Sequence, residues 1–287
     1  MASMRDIKRR RTSISSTQQI TKAMKLVATV KLQKAKSHAE NVAPYFEYMY
    51  STVCSMLAKT KNIEHPYLTV KEGGKKAVIV ITSNRGLAGG YNSNVVKLVT
   101  GDERFDKDNT ELFCIGHKGI EALKHRGYNI SDDESDVMEA PVYTDAARIT
   151  RVLLNRYAEG EINEIYLCYT HFKNTVVHTP TCLKLLPVEI DPEEAEKQAK
   201  SNVLMIFEPN PEEAIGMIIP KYVTSLLYGA LIEAAASENG ARMQAMDSAT
   251  SNAEEMIDDL TLKYNRARQG SITQELTEII AGAEAIS

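Results

Sequence analysis

Apolar and small residues recur at steps of mostly three, four or seven along the first part of the chain, from about residue 3 to residue 57. The recurring positions include Ile7, Ile14, Ile20, Met24, Val27, Leu32, Phe46 and Val53. A repeat of this length places side chains on one face of an α-helix. Pro44 interrupts the pattern and predicts a kink or a break. The pattern therefore predicts a long N-terminal helix.

A second helical stripe extends from about residue 211 to residue 286. Its positions include Ile215, Ile219, Val223, Leu227, Ala234, Ala253, Leu260, Tyr264, Ile272, Leu276 and Ile279, and no proline follows Pro220. After Pro220 a helix of about 65 residues, on the order of 100 Å long, is predicted. Gly229, Gly240 and Gly270 each cost up to about 1 kcal/mol relative to alanine. They indicate either a close approach to a second backbone or a local bend.

The middle of the chain, residues 75–208, alternates between two kinds of pattern. β-branched and apolar runs predict strands at residues 75–83, 111–116, 164–172, 181–188 and 202–207. Helices are predicted at residues 117–127 and from a cap at Thr144 to about residue 157. Residues 132–139 and 191–200 are charged and are predicted to be exposed, the second segment as a short helix. Strands alternating with helices predict an α/β layer with a mainly parallel sheet.

Two helices this long cannot bury their stripes against so small a middle domain, so their simplest partner is each other. The predicted fold class is α/β plus a long antiparallel coiled coil, with a Rossmann-like α/β domain inserted between the paired terminal helices. The expected domains are an N-terminal coiled-coil helix at 1–60, an α/β foot at 75–208 and a C-terminal coiled-coil helix at 209–287.

Charge supports this pairing although the net charge is only −4. The first helix is basic up to Lys36, and the last helix is mainly acidic. Each exposed pair contributes roughly 0–1 kcal/mol, so the charges would select partner and register more than supply stability. The alternative is that the charged faces of both helices are simply exposed to solvent and play no part in pairing.

Composition narrows the function further. The net charge gives no bias towards nucleic acid, and no uninterrupted apolar run approaches a membrane span. The basic N-terminus runs into the helix pattern, so no separate presequence is expected. The four cysteines form no closely spaced pair, and the six histidines fit no metal spacing. Four buried free thiols are predicted.

Four segments resemble one known family. They are TQQITKAMKLVATVKLQKA at 17–35, ITSNRGLAGGYNSNV at 81–95, SENGARMQAMDSATSNAEEMI at 237–257 and YNRARQGSITQELTEIIAGAEAI at 264–286. In order and spacing they are similar to the gamma subunits of bacterial F-type ATP synthases. The resemblance covers essentially the whole chain.

This resemblance implies a mechanical role rather than a catalytic one. The coiled coil would be the central rotor shaft of a proton-driven ATP synthase and would turn inside a head of three alpha and three beta subunits. The foot would contact the epsilon subunit and the c-ring. No catalytic residue, cofactor, metal, nucleic acid or direct membrane insertion is implied. The expected location is peripheral, on the cytoplasmic face of the bacterial cell membrane.

The resemblance also implies contact residues. The positions expected to contact beta subunits are Lys8, Arg9, Met24, Lys25, Arg242, Arg268, Gln269, Thr273, Glu275 and Glu278. Glu208 and Arg85 are expected on the foot, towards the c-ring and epsilon. Met24 is also spaced like a core residue, and the polar positions near the C-terminus could be simply solvated.

Two other functions are compatible with the sequence. The loop SNRGLAGGYN, residues 83–92, follows a strand and precedes a helix, a place where glycines can hold phosphate. Its spacing fits neither a dinucleotide nor a Walker motif, so a tight turn packed beneath the shaft is the other interpretation. A nucleotide-binding enzyme with helical arms and a static coiled-coil scaffold are therefore the alternatives. The chloroplast members' regulatory insertion with a cysteine pair is not present, so redox control of that kind is not expected.

Overall fold

The structure of the protein is a computed structural model. It describes residues 3–59, 65–69, 73–189, 207, 208 and 210–284. The chain divides into two compact units. The first comprises Met1–Thr29 and Arg242–Ser287, and the second comprises Val30–Ala241.

Both long terminal helices are present. Helix α1 covers Met4–Lys59 and helix α5 covers Pro211–Glu284. The predicted interruption at Pro44 is not a break, because α1 continues through it. Pro44 is exposed. An internal proline costs about 3 kcal/mol, and Val53 and Met56 in the following turns, which are buried against the sheet, help to offset that cost.

The second unit contains a five-stranded sheet. Its strands are β1 (Lys75–Ile81), β2 (Thr110–Ile115), β3 (Asn129–Asp133), β4 (Ile162–Phe172) and β5 (His178–Leu186), in the order β3-β2-β1-β4-β5. Its shorter helices are α2 (Tyr91–Thr100), α3 (His117–Lys124) and α4 (Tyr143–Ala158). β1 is parallel to β2 and β4, whereas β4 and β5 are antiparallel. The prediction of a mainly parallel sheet is confirmed.

Each face of the sheet has its own core. On one face the side chains of β1, β2 and β4 pack against α4, the end of α1 and the first half of α5. On the other face they pack against α2 and α3. Helix α5 contains a stretch long and apolar enough to cross a membrane, but more than half of that stretch is buried within the protein. Packing against the sheet accounts for its apolar character, as in the core helix of a globular domain.

A compact joint forms where β1 ends. The hydroxyl of buried Thr82 donates to the carbonyl of Gly116 at 3.0 Å and accepts from the N–H of Gly119 at 2.9 Å. Gly116 has a φ of +110°, and a Cβ there would lie 2.1 Å from the carbonyl oxygen of Thr82. Only glycine fits such a backbone so close to another chain segment. The joint fixes the start of α3 against the end of β1.

In the first unit, α1 and α5 form an antiparallel pair. Arg11 lies over the ring of Tyr264, and the hydroxyls of Thr21 and Thr250 are 2.8 Å apart. The more shielded positions of both helices alternate in steps of three and four. On α1 they include Ile7, Arg11, Ile14, Gln18, Thr21, Lys25 and Ala28, and on α5 Met246, Thr250, Ala253, Ile257, Leu260, Tyr264, Ala267 and Ser271. This alternation is the heptad repeat of a coiled coil.

The shielded positions of α1 and α5 form the seam of the coiled coil. This seam differs from the predicted stripe at several positions. Ile20 and Val27 are 60% and 58% exposed, whereas the polar neighbour Thr21 is buried. Ile272, Leu276 and Ile279 are likewise exposed. Because the seam contains polar side chains, a helical face defined by the apolar residues alone does not coincide with the seam.

Some local predictions were wrong. Residues 132–139 are not simply an exposed charged segment, because they contain the end of β3 and a 3-10 turn, Ser135–Met138, whose Val137 and Met138 pack into the core. Thr144 does not cap α4: the helix begins at Tyr143, and the residue before it makes no side-chain cap. The predicted helix at 191–200 lies outside the described residues, as does nearly all of the predicted strand at 202–207.

The glycines of α5 allow close approach at two places. A Cβ on Gly229 would lie 3.0 Å from the ring of Phe46, and one on Gly240 would lie 2.6 Å from His178. The close neighbours are therefore mainly side chains rather than a second backbone, and Gly270 has open space around it.

All four cysteines are free, as predicted, but one departs from the predicted burial. Cys54, Cys114 and Cys168 are buried. Cys182 is only partly buried, because β5 is the edge strand of the sheet.

Candidate interaction surfaces

The C-terminal end of α5 has no covering helix within the described residues of the first unit. Ser271 is the last partly shielded position, and residues 272–283 are all exposed. Ile272, Leu276, Ile279 and Ile280 are 49–68% exposed, and their spacing places them on one helical face. An apolar stripe of this kind marks a surface for a protein partner. We call residues 272–283 the bare end.

Polar residues expected to contact beta subunits lie on and just before the bare end. Arg268, Gln269, Thr273, Glu275 and Glu278 are all exposed. The hydroxyl of Thr273 donates to the carbonyl of Gln269, and Glu278 accepts from Gln274. Glu275 accepts weakly from Ser271 at 3.4 Å. These bonds are all local to one helix, so the side chains can reorient towards a partner.

The basic residues of α1 are divided between free surface and seam. Lys8 and Arg9 are exposed. Lys25 occupies a seam position, and its ammonium group is 2.6 Å from the carboxylate of Asp247 on α5. Met24 and Arg242 are half-buried. Met24 is therefore partly accessible, which is compatible both with packing in the coiled coil and with contact to a partner.

Exposed apolar residues on α1 were not anticipated as contacts. Ile20, Leu26 and Val27 are 58–63% exposed, in the same stretch of α1 as Met24 and Lys25. A helix that exposes large apolar side chains beside basic ones offers a mixed surface to a partner. The signal was present in the sequence as apolar residues that fall off the heptad repeat.

The glycine-rich loop is built as a packed turn. The Ser83 N–H donates to Asn92, the Asn84 amide donates to the carbonyl of Ser135, and Asn84 accepts from the N–H of His117. Tyr91 is buried, and its hydroxyl is 3.3 Å from the carbonyl of Ala234 on α5. These polar groups therefore bond within the loop and α2, to the 3-10 turn at Ser135, to the start of α3 and to α5. This arrangement favours the packed-turn interpretation over phosphate binding.

The two residues expected on the foot, Arg85 and Glu208, are both exposed. Arg85 lies at the tip of the loop beside Leu87, which has a φ of +64° and is 64% exposed. Glu208 is exposed next to the start of α5. Within the described residues, no group of three or more His, Cys, Asp or Glu side chains could hold a metal ion.

An ion-pair cluster around the buried carboxylate of Glu111 stabilises the amino-terminal edge of the sheet. Glu111 on β2 accepts from Lys75 at 2.7 Å, from Arg156 at 2.8 Å and from Ser131 at 3.0 Å. Burial by itself would raise the pKa of Glu111, but these three hydrogen bonds outweigh it and lower the pKa to about 2. The cluster joins β1, β2, β3 and α4, and it has a structural role.

Comparisons with known proteins agree with this architecture. The ATP synthase family model matches residues 3–286. The chain is 63% identical to the ATP synthase gamma chain of Lachnoclostridium phytofermentans, with 100% of both chains covered. It belongs to the ATP synthase gamma chain family. It is 42% identical to the ATP synthase gamma chain, sodium ion specific, of Acetobacterium woodii, with 99% of both covered. Members of this family are non-catalytic stalk subunits of a complex whose catalysis occurs on beta subunits.

Solved structures agree on the fold. A chain of the Euglena gracilis mitochondrial ATP synthase aligns with a TM-score of 0.73 at 17% identity, covering 99% of this chain and 94% of that one. A chain of the central stalk and c-ring of the Tetrahymena thermophila enzyme aligns with a TM-score of 0.58 at 25% identity, covering 80% and 99%. The predicted fold class, an α/β domain inserted between paired terminal helices, is confirmed.

Proposed function

We propose that this chain is the central shaft of an ion-driven ATP synthase and turns within a head of three alpha and three beta subunits. The observation that carries the proposal is the bare end, a helix terminus with an apolar stripe that its own unit does not cover. A shaft of this kind performs no covalent chemistry. It couples ion flow to catalysis because its different faces favour different conformations of neighbouring beta subunits.

The bare end and the residues just before it are the proposed contacts at the tip. The apolar stripe of Ile272, Leu276 and Ile279 would pack into an apolar sleeve, as amphipathic helices do in grooves. Arg268, Gln269, Thr273, Glu275 and Glu278 would provide the polar contacts. Their exposure supports this assignment.

A second contact is proposed on α1. Lys8, Arg9, Met24 and Lys25 would contact an acidic loop of a beta subunit, and Arg242 on α5 would take part. The basic side chains suit such a partner, and complementary charge acts mainly on the specificity and rate of engagement. Exposed Leu26 and Val27 add apolar contact area to this surface.

The α/β domain is the proposed foot. Glu208 would contact the c-ring, and Arg85 would contact the c-ring or the epsilon subunit. The similar Tetrahymena structure is that of a central stalk with its c-ring, and a second Euglena structure is that of the rotor. These two likenesses motivate the proposed contacts of the foot. The chain would then be a peripheral protein at the cytoplasmic face of a bacterial cell membrane.

The test is rotation of the reconstituted complex. Arg268, Gln269, Thr273 and Glu275 are replaced together by alanine, and ATP-driven rotation of a bead on the foot is recorded together with ion-coupled ATP synthesis. We expect normal assembly with reduced torque and coupling. The matched control replaces Lys118 and Glu121, an exposed ion pair on α3, by alanine. Unchanged rotation in the quadruple variant would remove these residues from the proposal.

The scaffold alternative is tested by truncation. Deleting the chain from Thr277 onwards removes Ile279 and Ile280 and leaves the coiled-coil seam intact. A shaft would lose torque or coupling before assembly fails, whereas a static scaffold would assemble and support full activity. For the nucleotide-binding enzyme, calorimetry with ATP or NAD on the full chain should show no binding.

A further inference from the structure

Two of the four thiols face each other across the edge of the sheet. Cys168 on β4 and Cys182 on β5 are directly opposite partners in the antiparallel ladder. Their sulfur atoms are 3.0 Å apart. Opposite residues in such a ladder have Cα atoms about 4.5–5.5 Å apart, within the range that a disulfide bond spans. A bond between these sulfurs therefore requires little movement of the backbone.

The surroundings make the two thiols unequal. Cys168 is buried, and its thiol donates a hydrogen bond to the sulfur of Cys182. This hydrogen bond lowers the pKa of Cys182, and the nearby Arg104 guanidinium lowers it further against the opposing effects of burial and of Asp102. The same hydrogen bond and burial raise the pKa of Cys168. When the pair loses one proton, Cys168 therefore keeps its own and Cys182 bears the thiolate.

Solvent access also favours reaction at the sulfur of Cys182. Cys182 is only partly buried on the edge strand, whereas Cys168 lies behind it. Arg104 is held beside the pair by Asp102, with a nitrogen-to-oxygen distance of 2.6 Å, and it also lies over the ring of Tyr166. A partly accessible thiol next to a fixed cation, with a second thiol behind it, is the arrangement found in reactive cysteine pairs.

The other two cysteines provide an internal comparison. Cys54 and Cys114 are both buried. Burial raises the pKa of Cys114 to about 12. The thiolate is the reactive form of cysteine, so Cys114 should be inert at neutral pH.

We propose that Cys182 is a site of oxidation by hydrogen peroxide and that Cys168 resolves the product to a disulfide bond between β4 and β5. This modification site is independent of the shaft function and lies within the α/β domain.

The chemistry balances with peroxide as the oxidant. The Cys182 thiolate attacks one peroxide oxygen, so an S–O bond forms, the O–O bond breaks, and the departing hydroxide takes up a proton to leave as water. Cys168 then loses its proton and attacks the sulfur of the sulfenic acid. The S–S bond forms as the S–O bond breaks, and a second water leaves. Two thiols are oxidised by two electrons in total, and one peroxide is reduced to two waters.

The experiment treats the full-length chain with hydrogen peroxide at neutral pH, then blocks remaining thiols and measures intact mass and tryptic peptides. We expect two of the four thiols to disappear and the Cys168 and Cys182 peptides to be joined. Cys182 should react at least about ten-fold faster than Cys114, because the thiolate is favoured at Cys182 and suppressed at Cys114. A dithiol reductant should restore all four thiols.

Variants separate the two roles. In Cys168→Ser the sulfenic acid should persist on Cys182 and be trapped by dimedone, whereas Cys182→Ser should give neither sulfenic acid nor cross-link. Arg104→Gln should slow the reaction while both thiols remain. The matched control, Cys54→Ser with Cys114→Ser, should oxidise as the unmodified chain does. The proposal is overturned if no linked peptide forms, or if Cys114 and Cys182 react at equal rates.

Discussion

Replacing Gly116 by alanine should be among the most damaging small changes in the α/β domain. The new methyl group would lie 2.1 Å from the carbonyl oxygen and 2.5 Å from the carbonyl carbon of Thr82. Both atoms belong to the backbone just after β1, so neither can rotate away. The φ of +110° adds strain for any residue with a side chain.

The expected loss in the free energy of unfolding is the sum of backbone strain and steric overlap. Backbone strain of this kind costs on the order of 1–3 kcal/mol. Forcing an extra carbon into a packed site costs roughly another 1–3 kcal/mol. Gly127 is the matched control, because its φ is +83° but no atom lies within 4 Å of the position of its Cβ. Gly127→Ala should therefore show the strain alone, about 1–2 kcal/mol.

Urea unfolding of the full chain, followed by circular dichroism, measures both variants. With a slope of about 2 kcal/mol per molar urea, Gly116→Ala should lower the midpoint by roughly 1–3 M and Gly127→Ala by at most about 1 M. Thr82→Ala should partly rescue Gly119→Ala, whose clash is with the Thr82 side chain at 2.6 Å, but should not rescue Gly116→Ala. Equal midpoints for Gly116→Ala and Gly127→Ala would refute the reasoning.

Three further predictions concern buried and exposed polar contacts. Glu111→Gln should lower the free energy of unfolding at pH 7. The loss relative to the unmodified chain should shrink as the pH falls from 4.5 towards about 2, because the depressed pKa of Glu111 stabilises the fold only while the carboxyl is ionised. A loss that does not vary with pH in acid unfolding curves would contradict this. Tyr91→Phe should cost about 0.5–1.5 kcal/mol in urea unfolding, through loss of its hydrogen bond to the Ala234 carbonyl. Lys25→Ala should cost at most about 1 kcal/mol, because its pair with Asp247 is exposed, and about 1 M salt should remove the difference.

The long helices and the sheet could be predicted because their signals are strong and local. The β-branched run of β1 and the long stripe of α5, which has no proline after Pro220, each specify one element without reference to the rest of the chain. β3 was missed because Asn129–Asp133 is a short edge strand whose burial alternates and whose composition is that of a loop. Pro44 was predicted to kink or break the first helix, and α1 is not broken there. The buried residues of the following turns, Val53 and Met56, help to offset the local cost.

The surfaces were harder to predict than the fold. Polar Thr21 occupies a buried position of the coiled coil and apolar Ile20 does not, so hydrophobicity alone assigned Ile20 wrongly to the buried face. Cys168 and Cys182 are far enough apart in sequence that only the pairing of β4 with β5 reveals their contact. The assignments of Arg268, Gln269 and Glu275 came from family resemblance and stay predictions.

The bare end also has a consequence for the living cell. Leu276, Ile279 and Ile280 together give each newly made copy a terminus that can bind other apolar surfaces until partner subunits enclose it. Such a surface invites self-association and proteolysis. Synthesis of this chain should therefore be matched in number to the subunits that enclose it, and surplus copies should be short-lived.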